Sequence, residues 1–480
     1  MSRLDSGPMP DGASNGRDGL AGSPRQVLAL VLGFSAMALL PVGVTGANLA
    51  FPEIEAEFDD ASRATLSWAL SGYSITIAAF TLLGGHLADR FTASRMFRVG
   101  LTVFVAASLV AAAAPSAAVL IAGRCLQGMG GAFLVSSSLL VVTHAWPRAK
   151  HVLVIGVWTA AFPIGAAIAP ALTAMVLEVA DWRWIFVLTA ALGTGIVVGH
   201  VFFLPATPGR TSSDQAVAHP DYVGIIIGTL AVGLIALGIV QGPTWGWTSW
   251  RVLGALATGV ALIPVFIWRS KRHSNPLVDM ELFRIRTYSL ASVSNLFISI
   301  AGMSVWLLWP LLMANEWGFS QIEVGLALTP TPLLAGAGSL VTAKIAGRHG
   351  YRVVLLVGLA LLVAANLWFF ATLEPDPNFV GAMLPGMLLY GVGMGLCFAP
   401  INAAALVDVD PGQYSEANAA FSTGRFLAAA IGIATVVAAL GEAGSDPFAG
   451  FDRAFLILGG LSLAGFITLA IGWPRKPHTT

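Results

Sequence analysis

Fourteen stretches of about 20 apolar residues, each long enough to cross the ~30 Å hydrocarbon core of a bilayer, limit what this chain can fold into. They fall at about 27–50, 64–85, 97–114, 117–143, 152–177, 184–204, 222–241, 251–268, 287–314, 321–342, 353–373, 380–406, 418–440 and 453–472. Backbone polar groups in lipid must be satisfied within the protein, and these runs far exceed the ~10-residue alternating segments of barrel strands, so they read as helices. Composition agrees: 56% of the 480 residues are hydrophobic and 10% charged, whereas soluble domains carry about 25% charged residues. The expected class is an all-α integral membrane protein embedded in a lipid bilayer.

Function classes fall away on the same grounds. Lys+Arg and Asp+Glu are both 25, so no excess of positive charge points to nucleic acid. Cys125 and Cys397 stand alone in apolar runs, which leaves neither a disulfide framework nor a metal-binding cluster. The four lysines follow Ala149, Ser270, Ala343 and Arg475, and a phosphate-binding P-loop needs glycine there. No H-E-x-x-H or G-x-S-x-G occurs, so enzymes of those kinds are disfavoured and no cofactor is implied.

Basic residues set the expected orientation. With a cytoplasmic N-terminus, nineteen Lys/Arg fall at inside segments, from Arg3 to Lys476, and four fall outside, at Arg63, Arg183, Arg251 and Arg453. The reading is a multi-pass protein of the plasma (inner) membrane with both termini cytoplasmic. Trp245, Trp247 and Trp250 suit an aromatic belt at the outer interface.

The chain also repeats itself. Gly85-His86-Leu87-Ala88-Asp89-Arg90, expected in the loop after helix 2, matches Ala343-Lys344-Ile345-Ala346-Gly347-Arg348 at an offset of 258. Leu126-Gln127-Gly128-Met129-Gly130 matches Leu389-Tyr390-Gly391-Val392-Gly393 at an offset of 263. Both lay helices 1–6 over helices 9–14 and leave helices 7 and 8 as an inserted pair. Expected organisation is a disordered tail over 1–26, a six-helix bundle over 27–204, a linker with the inserted pair over 205–286, a second six-helix bundle over 287–472 and a tail over 473–480.

These residues resemble the major facilitator superfamily of transporters, and within it the fourteen-helix drug:proton antiporter branch. Gly85-His86-Leu87-Ala88-Asp89-Arg90 matches the loop signature G-x-L-A-D-R, although Thr92 and Ala93 stand where a glycine and a basic residue usually follow. Arg124-Cys125-Leu126-Gln127-Gly128-Met129-Gly130 matches R-x-x-Q-G-x-G, and Asp181-Trp182-Arg183-Trp184-Ile185-Phe186 resembles the S-W-R-W-I-F stretch before helix 6. The helix 5 antiporter motif has decayed: Gly165 and Pro170 remain, but Ala169, Thr173 and Ala174 replace glycines. In the helix 1 pattern L-D-x-T-x-x-N-x-A-L-P, the aspartate is Gly43. The resemblance implies two six-helix bundles rocking in alternating access, an amphipathic small-molecule substrate, and protons as the coupling ion.

Each motif has its own physical chemistry. Asp89 and Arg90, at the inside end of helix 2, could clamp two helices by charge-assisted hydrogen bonds that break when the halves rock; the plainer reading is that they fix topology. Arg124, about seven residues into helix 4, costs about 2.5–3.5 kcal/mol at membrane depth, so it must face a cavity or a partner. Gln127 and Gly128 share its stripe at i+3 and i+4. Arg425 reads equally as a functional cation and as a side chain snorkelling to the inside face. Gly165 with Pro170, and Pro330 with Pro332, are candidate bending points, since proline removes a backbone bond.

The resemblance further implies a central cavity lined by helices 1, 2, 4, 5, 9, 10, 12 and 13. Polar and aromatic candidates there are Tyr73, Gln127, Asn295, Trp306, Trp309, Tyr390 and Asn402. They offer stacking surfaces and few hydrogen bonds, which suits lipophilic substrates better than sugars. The expected function is export of lipophilic small molecules. A lipid or natural-product exporter of the same fold, and a non-transporting receptor or assembly partner, are the alternatives. No helix centre contains Asp or Glu, so substrates should be neutral, zwitterionic or anionic, drawn toward Arg124. Proton coupling would then run through Asp89, an end-of-helix carboxylate or a histidine.

Overall fold

The structure is a computed structural model that describes residues 22–204, 221–273, 276, 278–441 and 447–473. Most of the expected tail over 1–26, part of the linker at 205–220 and nearly all of the tail over 473–480 lie outside the described residues. Among the described residues fourteen helices reach 20 residues or more: α1 (Pro24–Leu49), α2 (Trp68–Phe91), α3 (Ala93–Ala112), α4 (Ala117–Ala145), α5 (His151–Val179), α6 (Arg183–Phe203), α7 (Tyr222–Trp245), α8 (Trp250–Ser270), α9 (Arg286–Leu311), α10 (Pro330–His349), α11 (Tyr351–Thr372), α12 (Leu384–Leu406), α13 (Tyr414–Gly441) and α14 (Pro447–Gly472). Thirteen spans among the described residues are long and apolar enough to cross a membrane, and α10 is not among them.

Local chemistry sets the ends. Ser23 caps α1 in a capping box with Gln26, and Pro24 takes the first helical position, where its missing N–H costs nothing. The run expected as one helix over 321–342 is two pieces, Gln321–Leu328 and α10, separated at Thr329. Pro330 and Pro332 cannot donate to the preceding turn, and this breaks the helix. A second correction concerns Gly85 to Arg90, which are helical rather than a loop. The turn is Thr92 alone, whose hydroxyl then accepts from the Arg95 N–H at 3.2 Å to start α3.

The duplicated glycines make duplicated seams. A Cβ on Gly128 would lie 2.5 Å from the Tyr73 carbonyl oxygen of α2, and one on Gly391 would lie 2.8 Å from the Thr331 carbonyl oxygen of α10. A Cβ on Gly130 would lie 2.6 Å from the Phe104 backbone nitrogen of α3, and one on Gly393 would lie 3.0 Å from the Gly358 carbonyl oxygen of α11. So α4 packs on α2 and α3 as α12 packs on α10 and α11, the arrangement of two bundles of the same plan. The bundles meet where α5 lies along α10 and α2 along α13.

The inserted pair has one inner and one outer member. α7 stands against α2 and α13, whereas α8 packs on α7 and leaves most of its surface free. Buried Asp221 caps α7 by accepting from the Gly224 N–H at 2.8 Å and pairs with Arg269 of α8 at 2.6 Å, fastening the two helices at one end.

Candidate functional site

Arg124 ties four helices together. It is 1% exposed. Its Nε donates to the Ala69 carbonyl of α2 at 2.8 Å, and its Nη1 donates to the Gly43 carbonyl of α1 at 3.1 Å and to Gln127 Oε1. Gln127 passes the network on, donating from Nε2 to Ser108 Oγ of α3 at 2.7 Å. The guanidinium lies 4.5 Å from the Tyr73 ring centroid, a cation–π contact. Three charge-assisted bonds and an aromatic face are what a buried cation needs to offset its desolvation.

Beside this network lies a cavity of about 430 Å³. Both bundles line it, through Tyr73, Arg124, Trp158 and Phe162 on one side and Phe398, Ser422, Arg425 and Phe426 on the other. Arg425, for which a functional and a snorkelling reading stood level in the sequence, lines this cavity: its guanidinium stands 4.5 Å from the Phe398 centroid and 5.6 Å from that of Phe421. Its Nε and Nη2 are buried and make no hydrogen bond among the described residues. Among the described residues no acidic side chain lines the cavity.

The cavity reaches toward the face away from the chain's first and last helix ends, at Asn48 near the end of α1 and Ser67 before α2. Toward the opposite, terminal face the bundles are joined: Asn418 of α13 donates to the Val135 carbonyl of α4 at 3.2 Å, and the His151 and Tyr414 rings meet at 6.0 Å. On the far face, outside the expected membrane spans, a clasp closes the first bundle. Arg183 donates to both Glu57 carboxylate oxygens, at 2.5 and 2.6 Å, and Trp182 Nε1 donates to the same carboxylate at 2.7 Å. The Arg183 guanidinium holds the Glu57 carboxyl below its ordinary range.

The expected site residues scatter. Tyr73 and Arg124 line the large cavity, with Gln127 buried behind them. Trp306 and Tyr390 line a separate space of about 40 Å³, too small for a substrate, where the Tyr390 hydroxyl donates to the Ala301 carbonyl at 2.8 Å. Trp309 is fully buried between Phe369 and Tyr390, at 5.6 and 5.2 Å between ring centroids. Asn295 binds the Phe421 carbonyl at 3.3 Å, joining α9 to α13, and Asn402 is fully buried; neither lines the cavity. Gly165 is where α1 and α5 touch, since a Cβ there would lie 2.3 Å from the Ala38 carbonyl oxygen. Pro170, further along α5, sits beside Gly325 of the short helix before α10. Arg90 and Arg95 both approach the Phe91 ring at 5.5 Å. Asp89 falls in the last turn of α2, and its side chain lies outside the described part of the structure.

Sequence reasoning found α7 as a helix but missed its place in the cavity wall. Its Ala236, Ile239, Gln241 and Thr244 form part of the cavity wall, and Gln241 Nε2 donates to Ser71 Oγ of α2 at 3.0 Å. The available signal was Gln241 itself, an amide near the end of an otherwise apolar run.

Similar proteins agree with this architecture. Residues 33–221 and 291–480 match the model of the Major Facilitator Superfamily. The chain is 30% identical over 414 residues to a multidrug resistance protein Stp of Mycobacterium tuberculosis (strain CDC 1551 / Oshkosh), covering 86% of this chain and 75% of that one. It is 27% identical to a methylenomycin A resistance protein of Bacillus subtilis (strain 168), covering 90% and 91%. The human organic anion transporter MFSD10 (TETRAN) superposes with a TM-score of 0.69 at 18% identity, over 93% of this chain and all of that one. The chain therefore belongs to the Major Facilitator Superfamily.

Proposed function

We propose that this protein exports lipophilic small molecules by alternating access, with the halves at 27–204 and 287–472 rocking about the 430 Å³ cavity. The observation that carries the reading is that cavity, built by both bundles with a mostly apolar, partly aromatic wall and sealed toward the terminal face by Asn418 and Val135. Transporter folds commonly place substrate at such an interface between repeats. Relatives named for multidrug resistance and drug efflux support small-molecule export. Two relatives of Streptomyces coelicolor, a methylenomycin A resistance protein and a probable actinorhodin transporter, favour natural products within that class. The excess of basic residues at the terminal face supports cytoplasmic termini, which makes the described state closed to the cytoplasm. Asp89 and Arg90 serve as the gate in this reading, and Asp89→Asn should abolish transport without loss of membrane insertion.

The test is a susceptibility and accumulation panel in a pump-deficient host, with and without a collapsed proton gradient. Lower accumulation of several lipophilic compounds, restored by collapsing the gradient, is the expected result. Unchanged accumulation of every compound, with the protein present in the membrane, would overturn the reading.

A further inference from the structure

The two cavity arginines differ in what they have left to give. Arg124 has committed Nε and Nη1 to Ala69, Gly43 and Gln127, which leaves neither two-nitrogen edge of its guanidinium whole, so it acts as a strut between helices. Arg425 has Nε and Nη2 without an acceptor. These two nitrogens form one edge of the guanidinium, with parallel N–H bonds at the spacing of a carboxylate's oxygens. Arg425 is half-buried, but its two buried N–H groups lack an acceptor, which is costly, and Phe398 and Phe421 offset only part of that cost. Among the described residues no Asp or Glu lines the cavity to supply the rest.

We infer that Arg425 is the docking group for the substrate's acidic function, and that the preferred cargo is an amphipathic aromatic carboxylate. This rests on the export reading above and narrows its substrate class. The carboxylate takes the free edge of Arg425, and the ring system lies among Trp158, Phe162 and Phe426, which line the same cavity. The edge is buried in the described state, so docking requires the Arg425 side chain to turn about its terminal torsions to present it. Shielding from water is also what makes the pairing strong. Arg124, the residue singled out as the anion's target by sequence, serves as wall.

The test uses three ligands that share one ring system: 4-(pyren-1-yl)butanoate, its methyl ester, and a 4-(pyren-1-yl)butyl trimethylammonium salt. Binding to the purified full-length protein is read by energy transfer from tryptophan to pyrene. The acid should bind most tightly and the ammonium least. Arg425→Gln should weaken the acid by about ten-fold or more and leave the ester unchanged, with Arg425→Lys between, because an ammonium lacks the fork. Retained ester binding shows that the variant is folded. Should Arg425→Gln not fold, Ser422→Asp keeps the arginine and places an acid one turn away on the cavity wall, and it should likewise suppress acid binding. Undiminished acid binding in these variants, or preference for the ammonium in the wild type, overturns the assignment. Export in cells separates the two readings: no export of any compound sinks the transport reading, whereas export of acids that persists in Arg425→Gln sinks only this one.

Discussion

Thr92 and Gly350, 258 residues apart, hold the same turn between consecutive antiparallel helices, Thr92 at φ 107°, ψ 139° and Gly350 at φ 79°, ψ 157°. Each N–H also closes the preceding helix in the same way, Thr92 on the Ala88 carbonyl at 3.3 Å and Gly350 on the Ala346 carbonyl at 2.9 Å. A β-branched residue at positive φ is strained, by about 1–3 kcal/mol, and glycine is not. The repeat therefore identifies a position built for glycine and occupied by threonine. Thr92→Gly should raise the melting temperature of the purified protein in detergent, with a net gain of about 1 kcal/mol after loss of the cap and the added freedom of the unfolded chain. Thr92→Ala keeps the strain, loses the cap and should melt lower. Equal melting of all three proteins would show that the turn carries no strain.

That comparison shows how far the sequence reads. Apolar runs found the helices, because bilayer thickness and backbone hydrogen bonding leave almost no other solution. Their ends were less legible: α2 runs on through Asp89 to Phe91 because nothing in that motif breaks a helix, and only Thr92 does. The cavity was the least legible part. A motif or an isolated charge in an apolar run marks Arg124, but whether Trp309 faces a cavity or a core depends on helix rotation, which helices polar on no particular face do not encode. Arg425 was left between two readings for a similar reason, since position along a helix says nothing about the Phe398 ring waiting on α12.

Gly43 stands where a carboxylate would meet Arg124. A Cβ on Gly43 would sit 3.7 Å from Phe104 Cζ, 3.8 Å from Gln127 Nε2 and 4.0 Å from Arg124 Nη1, all ordinary contacts. Gly43→Ala should therefore be tolerated, and should gain up to about 1 kcal/mol from helix propensity. Gly43→Asp places a negative charge on the Arg124 network and lowers the positive charge of the cavity. Export should shift from the pyrene acid toward the pyrene ammonium. An unchanged ratio of the two in whole-cell efflux would show that Gly43 plays no part in selectivity.

The clasp at Glu57 predicts an acid-sensitive stability. Its carboxyl titrates below the ordinary carboxylate range because Arg183 and Trp182 donate to the charged form. A group whose folded value is depressed stabilises fully above its unfolded value, near 4.3–4.5, and loses that contribution as pH falls through the lower folded value. Both side chains are partly exposed, 40% for Glu57 and 29% for Arg183, so screening keeps the effect to about 1 kcal/mol or less. Glu57→Gln should melt lower at pH 7 and show a smaller drop between pH 7 and pH 4 than the wild type. Parallel pH profiles would mean that other carboxylates set the acid limit.

Asn418 predicts the population of the described state. Its Nδ2 bond to the Val135 carbonyl crosses from α13 to α4 at a fully buried position, on the side where the cavity is sealed. A buried neutral hydrogen bond contributes about 0.5–1.5 kcal/mol, which in a two-state equilibrium is roughly a two- to twelve-fold change in population. Asn418→Ala removes the donor and leaves the carbonyl within α4, where the helix still satisfies it. The bundles should then part more often at the terminal face. Backbone amide exchange over 136–145 and 414–421 should quicken by that factor, while α8, which packs on α7 and not on the seam, exchanges as before. Exchange that quickens everywhere would instead report general destabilisation, and exchange unchanged over both segments would remove Asn418 from the seal.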